Sequence, residues 1–122
     1  MAPGPASFSR RARLTRPVEY RRVFAEAKRS NSRALTLLMA PNGLGYSRLG
    51  LAISRKAVPR AVARNRIKRC VRESFRQHQG EVPGWDFVVL ARNAAATTPG
   101  KALRAELEQH WNRVKRRPCA AS

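Results

Sequence analysis

Apolar residues recur along this chain with two periods, and the switches between them outline its elements. In "TRPVEYRRVFAEAKR", residues 15–29, Tyr20, Val23 and Phe24 fall three and four apart, the spacing of one helix face. Thr15 suits the cap of that helix, Pro17 its first turn and Glu19 its positive end. "SNSR" breaks the pattern. In "ALTLLMA", residues 34–40, the period drops to two: Leu35, Leu37 and Met39 alternate with Ala34, Thr36 and Leu38, as in a strand. "PNGLG" closes it with turn residues. "RLGLAIS", residues 48–54, alternates again, with Leu49, Leu51 and Ile53 on one face. Helical spacing returns from about Arg60 to Gln77, where Ala63, Ile67, Cys70, Val71, Ser74 and Phe75 gather on one arc at about 100° per residue. After the loop "GEVPGW", residues 86–91 ("DFVVLA") are almost continuously apolar, which marks a strand covered on both faces. "TTPGKALRAELEQHWNRVKRR" then carries Leu103, Leu107, His110, Trp111 and Val114 at helical spacing until Pro118 stops it.

The predicted order is α-β-β-α-β-α, with room for one more short strand, and the class is α+β or a small α/β sandwich. Strand 48–54, helix 60–77 and strand 86–91 form a crossover unit if the strands are parallel, and chain chirality favours a right-handed one. A length of 122 residues and an apolar fraction of 43% suit one folded domain. Residues 1–13, rich in Pro, Gly, Ser and Arg, read as a flexible basic arm, 14–116 as the domain and 117–122 as a short tail. No apolar run approaches the roughly 20 residues of a membrane span, and the N-terminus lacks the apolar core of a secretory signal. The two cysteines, Cys70 on the apolar helix stripe and Cys119 in the tail, make neither a metal site nor a disulfide framework. A reducing cytoplasm fits that usage.

Charge changes the picture most. Lys and Arg number 26 against 7 Asp and Glu, a formal net charge of +19. Self-repulsion on that scale points to a polyanionic partner. Arg outnumbers Lys 21 to 5, and its planar fork clamps phosphate and stacks on bases, which an ammonium cannot do. GC-rich coding would also favour Arg, but it does not account for the net charge. On helix 60–77 the cations Arg66, Lys68, Arg69, Arg72 and Arg76, together with Asn65, occupy the side opposite the apolar arc, with Arg64 on the border. Lys68–Arg72 and Arg72–Arg76 are like-charged i,i+4 pairs, mildly unfavourable in a free helix. Arg55, Lys56 and Arg60 extend the patch into the preceding loop, beside a helix N-terminus whose N–H groups suit phosphate. Such a surface makes sense against a polyanion rather than against water. Catalytic signals do not rise: His78 is isolated, His110 shares a core stripe, and Glu106 and Glu108 are two apart and do not face each other. Glu73 is a local counter-charge. No triad order, metal-ligand cluster or Gly-rich phosphate loop is present.

"ARNRIKRCVRESFR" closely resembles the signature of the protein subunit of bacterial ribonuclease P, in which an Arg-Asn-Arg core opens a basic helix. "YRRVF" (20–24) resembles that family's first-helix motif, "SRLGLAISRKAVPRAVARNRIKR" its strand and loop leading into the basic helix, and "WDFVVLAR" its last strand. The match runs through about residues 13–115 in order. The resemblance implies a two-layer α/β sandwich with a four-stranded sheet and a left-handed crossover, against the ordinary chirality preference. It implies an RNA subunit that cleaves precursor tRNA with magnesium, and a protein that assists without catalytic residues or metal ligands of its own. On this chain Arg64, Asn65, Arg66, Lys68, Arg69 and Arg72 would contact the catalytic RNA, with Arg55, Lys56 and Arg60 sharing that role. One protein per RNA, acting in the cytoplasm, follows from the same resemblance.

The family also holds the single-stranded 5′ leader of its substrate in a cleft between first helix and sheet. Tyr20 and Phe24 match its aromatic positions, Tyr20 standing where the family often has Phe. Bases stack on such rings for roughly 1–3 kcal/mol each without demanding a sequence; spacing alone favours two core rings, and the family match reverses that for at least one of them. Leu35 and Leu37 are further candidates for that cleft, since a strand face can line it or be buried. Two other classes remain: a structural RNA-binding protein of the ribosomal kind, which would show no preference for a tRNA leader, and a protein-only nuclease, against which the missing carboxylate cluster counts.

Overall fold

The computed structural model describes residues 10–116. Helix α1 (Pro17–Glu26) leads to strands β1 (Lys28–Asn31), β2 (Leu35–Pro41) and β3 (Arg48–Ala52), then helix α2 (Ala61–His78), strand β4 (Trp85–Ala91) and helix α3 (Gly100–Lys115). The four strands form one sheet in the order β1-β2-β4-β3. β2 pairs antiparallel with β1 and β4, whereas β3 runs parallel to β4. α2 is therefore the crossover between two parallel neighbours, as the expected unit required.

α1 starts at Pro17 because Glu19 turns back on the chain. Its Oε1 accepts hydrogen bonds from the backbone N–H of Arg16 (2.9 Å) and of Thr15 (3.0 Å). Arg16 is the cap residue and Thr15 serves only through its backbone, which corrects the expectation of a Thr15 side-chain cap. The helix was expected to run to residue 29 and ends at Glu26. Ala27 turns extended, and Lys28–Asn31 pairs with Thr36–Met39 of β2. This is the additional short strand. Only Ser30 of its four residues is buried, so it shows no apolar alternation to read.

Both faces of the sheet are covered. Leu35, Leu37, Met39, Leu49, Phe87 and Val89 join Ile67, Val71, Phe75, Leu103, Leu107 and Trp111 in the larger core under α2 and α3. There the rings of Phe87 and Trp111 meet edge to face at 5.3 Å, and Phe75 stands 6.1 and 6.0 Å from them. The indole N–H of Trp111 donates to Ser74 Oγ at 2.8 Å, so the one polar residue on the α2 stripe is satisfied. On the opposite face Leu14, Val23, Leu38, Ala40 and Val88 form a smaller core under α1. Tyr20 packs against it.

The folded domain begins earlier than residue 14. Arg10–Ala12 make a short 3₁₀ turn, Ala12 is buried in the larger core, and the Arg11 guanidinium lies 4.5 Å over the Tyr46 ring. Arg13 bridges in parallel to Leu49, and Leu14 N–H donates to Leu49 O at 2.9 Å, covering the outer edge of β3. Of residues 10–13, expected in the flexible arm, Arg13 is thus held by backbone pairing and Ala12 by burial. The rest of that arm and the 117–122 tail with Pro118 and Cys119 lie outside the described residues.

Candidate nucleic-acid interface

α2 buries Ile67, Cys70, Val71, Ser74 and Phe75 and turns its cations outward, as its periodicity required. Its first turn holds no acidic residue and no side chain caps it, so the positive end of the helix is not neutralised from within. Arg64 bends back, its Nη1 donating to the carbonyls of Val58 (3.0 Å) and Pro59 (2.7 Å). It staples the loop that carries Arg55, Lys56 and Arg60, all three exposed. Asn65, Arg69 and Arg72 line an open hollow with Glu73 and Arg76, and the Glu73–Arg76 pair is the acid–base contact within it. Arg66 is half-buried, and its Nε is fully buried with no hydrogen-bond partner among the described residues. A buried charged donor without an acceptor is costly.

Lys68 and Arg72 have a second role. With Arg13, Tyr20, Gly50 and Leu51 they line a cleft of about 180 Å³ between the start of α1, strand β3 and α2. The Tyr20 hydroxyl donates to Leu14 O at 3.3 Å and accepts from Leu51 N–H at 3.2 Å. Its ring lies so close to Gly50 that a Cβ there would sit 2.7 Å from ring atoms, so only glycine fits beneath it. Tyr20 is therefore fixed at the cleft wall with its ring half-buried. Phe24, one turn further along α1, is 50% exposed and does not line this cleft.

Leu35 and Leu37 do not belong to the site. They are 0% and 1% exposed and sit under α2 and α3, on the sheet face opposite α1. The β2 residues that face α1 are Leu38 and Ala40. Two-residue alternation separates the faces correctly but does not say which helix covers each.

Sequence reasoning missed the group that locks α1 over the sheet. Asp86 on β4 has no exposed surface. Arg48 grips it with two hydrogen bonds, Nε to Oδ1 at 2.8 Å and Nη2 to Oδ2 at 2.6 Å. Arg22 of α1 donates to Oδ2 and Asn42 Nδ2 to Oδ1 at 3.0 Å. Arg48 also pairs with Glu19 at 2.8 Å. Burial pushes the Asp86 pKa up, but the hydrogen bonds from Arg48 and Asn42 outweigh it and hold the carboxyl below its ordinary value. The hydrogen bond to Asp86 correspondingly raises the pKa of Arg48. Glu19 lies below its ordinary value too, chiefly through the Arg16 amide. The one available signal was a lone acid inside an apolar strand, which must find partners.

His78 contacts Glu81 and Glu108 at the surface, and His110 is buried between Ser30 and Ser32. Among the described residues no three His, Cys, Asp or Glu side chains are grouped to hold a metal ion, and no helix is long and apolar enough to cross a membrane.

Comparison with known proteins bears on this surface. The Ribonuclease P family model matches residues 8–115. The ribonuclease P protein component of Methylococcus capsulatus is 50% identical over 115 residues, covering 94% of this chain and 89% of that protein. The ribonuclease P protein of Staphylococcus aureus superposes with a TM-score of 0.77 at 26% identity, over 86% of this chain and 95% of its own. That of Thermotoga maritima gives 0.72 at 33% identity, over 87% and 97%.

Proposed function

The chain belongs to the ribonuclease P protein family, and we propose that within that endoribonuclease its α2 face docks on the catalytic RNA while the cleft beside Tyr20 receives the 5′ leader of precursor tRNA. The observation that carries this reading is that Arg72 lines both the α2 hollow and the cleft, with Lys68 of the same helix beside it in the cleft. A leader in the cleft would pass directly beside the RNA held on α2. Asn65, Arg66 and Arg69 would meet phosphates of that RNA, Arg66 offering a donor that the free protein leaves unused. Arg64 would hold the loop in place, so that Arg55, Lys56 and Arg60 extend the contact.

Each step follows from charge and shape. The +19 excess lowers the repulsion between two RNAs brought together. Stacking on Tyr20 and on the exposed ring of Phe24 favours a substrate with a leader over mature tRNA, which has none. Magnesium would act through the RNA subunit, because the carboxylates of this chain are engaged with its own cations and hydrogen-bond donors. A cationic surface beside the RNA would reshape its ion atmosphere and let magnesium work at lower bulk concentration. One protein per RNA subunit suffices, since the two surfaces adjoin on a single chain. The cytoplasm suits a particle that meets tRNA precursors and keeps Cys70 as a free thiol.

The experiment is cleavage of 5′-labelled precursor tRNA at low magnesium by the catalytic RNA, with and without this protein. Cleavage at the mature 5′ end is expected only with both components. No stimulation by a folded protein that still binds RNA would replace the reading with that of a scaffold. Phe24→Ala separates leader binding from folding. Because the ring is half-exposed, its unfolding free energy should change by no more than about 0.5 kcal/mol. Preference for leader-bearing over leaderless tRNA should fall at least about fivefold, the low end of the roughly 1–3 kcal/mol for loss of one stacked base. An undiminished preference in competition binding would remove Phe24 from the leader path.

A further inference from the structure

A second cationic feature, outside the interface, lies at the opposite edge of the sheet. β3 borders the cleft, whereas β1 is the other outermost strand, about 14 Å away at the usual spacing of some 4.8 Å between strands. There Arg29 of β1, Arg113 of α3 and Arg116 just beyond it converge with Ser30 and Asn31 on an open hollow of about 430 Å³.

Among the described residues no side chain neutralises this hollow. Of the seven acidic residues, Glu19 and Asp86 are bound to Arg48, Glu26 to Arg22 and Glu73 to Arg76. Glu81 and Glu108 serve His78, with Lys115 also on Glu81. Glu106 accepts from Ser32 and from the Ala34 N–H. Among the described residues no carboxylate lines the hollow, although three guanidinium groups share it.

One of the three is aimed by buried structure. Arg113 Nη1 donates to Ser30 Oγ at 3.0 Å and to Asn31 O at 2.9 Å, which leaves its Nε and Nη2 without partners among the described residues. The Ser32 hydroxyl donates to the Glu106 carboxylate, so Ser32 Oγ accepts from His110 Nε2–H at 2.9 Å. The neutral ring then accepts at Nδ1 from the Ser30 hydroxyl at 2.8 Å. The anchor of Arg113 is thus a directed chain running into the core, and it sets one edge of the guanidinium fork facing outward. That is the preorganised geometry in which Arg recognises phosphate.

We propose that Arg29, Arg113 and Arg116 form a second phosphate-binding site, which takes the backbone of an RNA segment distinct from the one on α2. The proposal rests on the RNA-binding role given above. It makes the protein a two-edged clamp, with one RNA contact along β3 and α2 and another along β1 and the end of α3.

The test uses the full chain with Arg29→Gln and Arg116→Gln together, both exposed, leaving the anchored Arg113 in place. One arm measures affinity for the catalytic RNA over a series of salt concentrations. The other measures affinity of the reconstituted particle for precursor tRNA over the same series. In one of the arms, log affinity against log salt should flatten by about 1.5, the loss of two phosphate contacts, and that arm identifies the RNA concerned. A control pair on the exposed side of α3, Lys101→Gln with Arg104→Gln, removes the same charge outside the hollow and should flatten it less. Equal flattening by both pairs, or none by the first in either arm, overturns the site. A wild-type chain that binds neither RNA overturns the functional reading instead.

Discussion

Asp86→Ala is expected to cost about 3 kcal/mol of folding stability, the low end of the roughly 3–5 kcal/mol for breaking a buried pair by removing one partner. The low end applies because the two cations left behind are not sealed in: Arg22 and Arg48 keep 32% and 20% of their side-chain exposure and can regain water. Asp86 itself has none, and four hydrogen bonds converge on its two oxygens. Asp86→Asn keeps the volume but loses the charge and turns an N–H₂ toward Arg or Asn donors, so it should cost more than 1 kcal/mol as well. Urea denaturation at pH 7 reads both. A loss below 1 kcal/mol for Asp86→Ala would show that apolar packing alone seats α1. The second readout is leader preference. Arg22 lies on α1 and Arg48 on β3, and α1 carries Tyr20 and Phe24, so a folded Asp86 variant should discriminate poorly between precursor and mature tRNA.

Acid should destabilise this protein well before its carboxylates titrate. His110 is 1% exposed, and its pKa is pushed down from 6.5 to about 4, chiefly by burial and further by Arg113, with Glu106 opposing. The folded state therefore keeps the imidazole neutral where the unfolded chain protonates it. Stability from this group is complete above about pH 6.5 and is lost as pH falls toward 4. Integrated over that window the loss is about 3 kcal/mol. Asp86 and Glu19, whose pKa values are lowered, add their own loss only below the ordinary carboxylate range. Unfolding midpoints at pH 7.5, 6 and 5 should fall steadily, and His110→Gln should flatten that fall. A level wild-type profile between pH 7 and 5 would mean that the imidazole charges in place.

The structure accounts for why one imidazole carries so much. Along Arg113, Ser30, His110, Ser32 and Glu106 every proton of the neutral ring arrangement has an acceptor. Protonation would set the new N–H of Nδ1 against the Ser30 hydroxyl proton, so that hydroxyl must turn away and give up its bond to the ring. The chain ties β1 to α3, so acid should first loosen the edge that carries Arg29 and Arg113.

What the sequence determined by itself was whatever rests on neighbours along the chain. The stripe of Ile67, Cys70, Val71, Ser74 and Phe75 and the cations opposite it were legible because both recur at three and four residues, and α2 buries that stripe. β2 was legible from its two-residue alternation and β4 from an almost continuous apolar run that only a doubly covered strand sustains. The family was legible because its motif lies in one continuous basic segment. Tertiary structure decided the rest. β1 follows a helix-like run yet pairs with β2, and its Ser30 meets a histidine 80 residues away. Leu35 and Leu37 were placed on one face by alternation, but only the packing of α1 against Leu38 and Ala40 showed that their face was the other one. Asp86 could be seen as a misfit in its strand, while its partners Arg22 and Arg48 are 64 and 38 residues distant. Local periodicity reports which side of an element is apolar. Which element covers that side is set by long-range burial, and no window of sequence contains it.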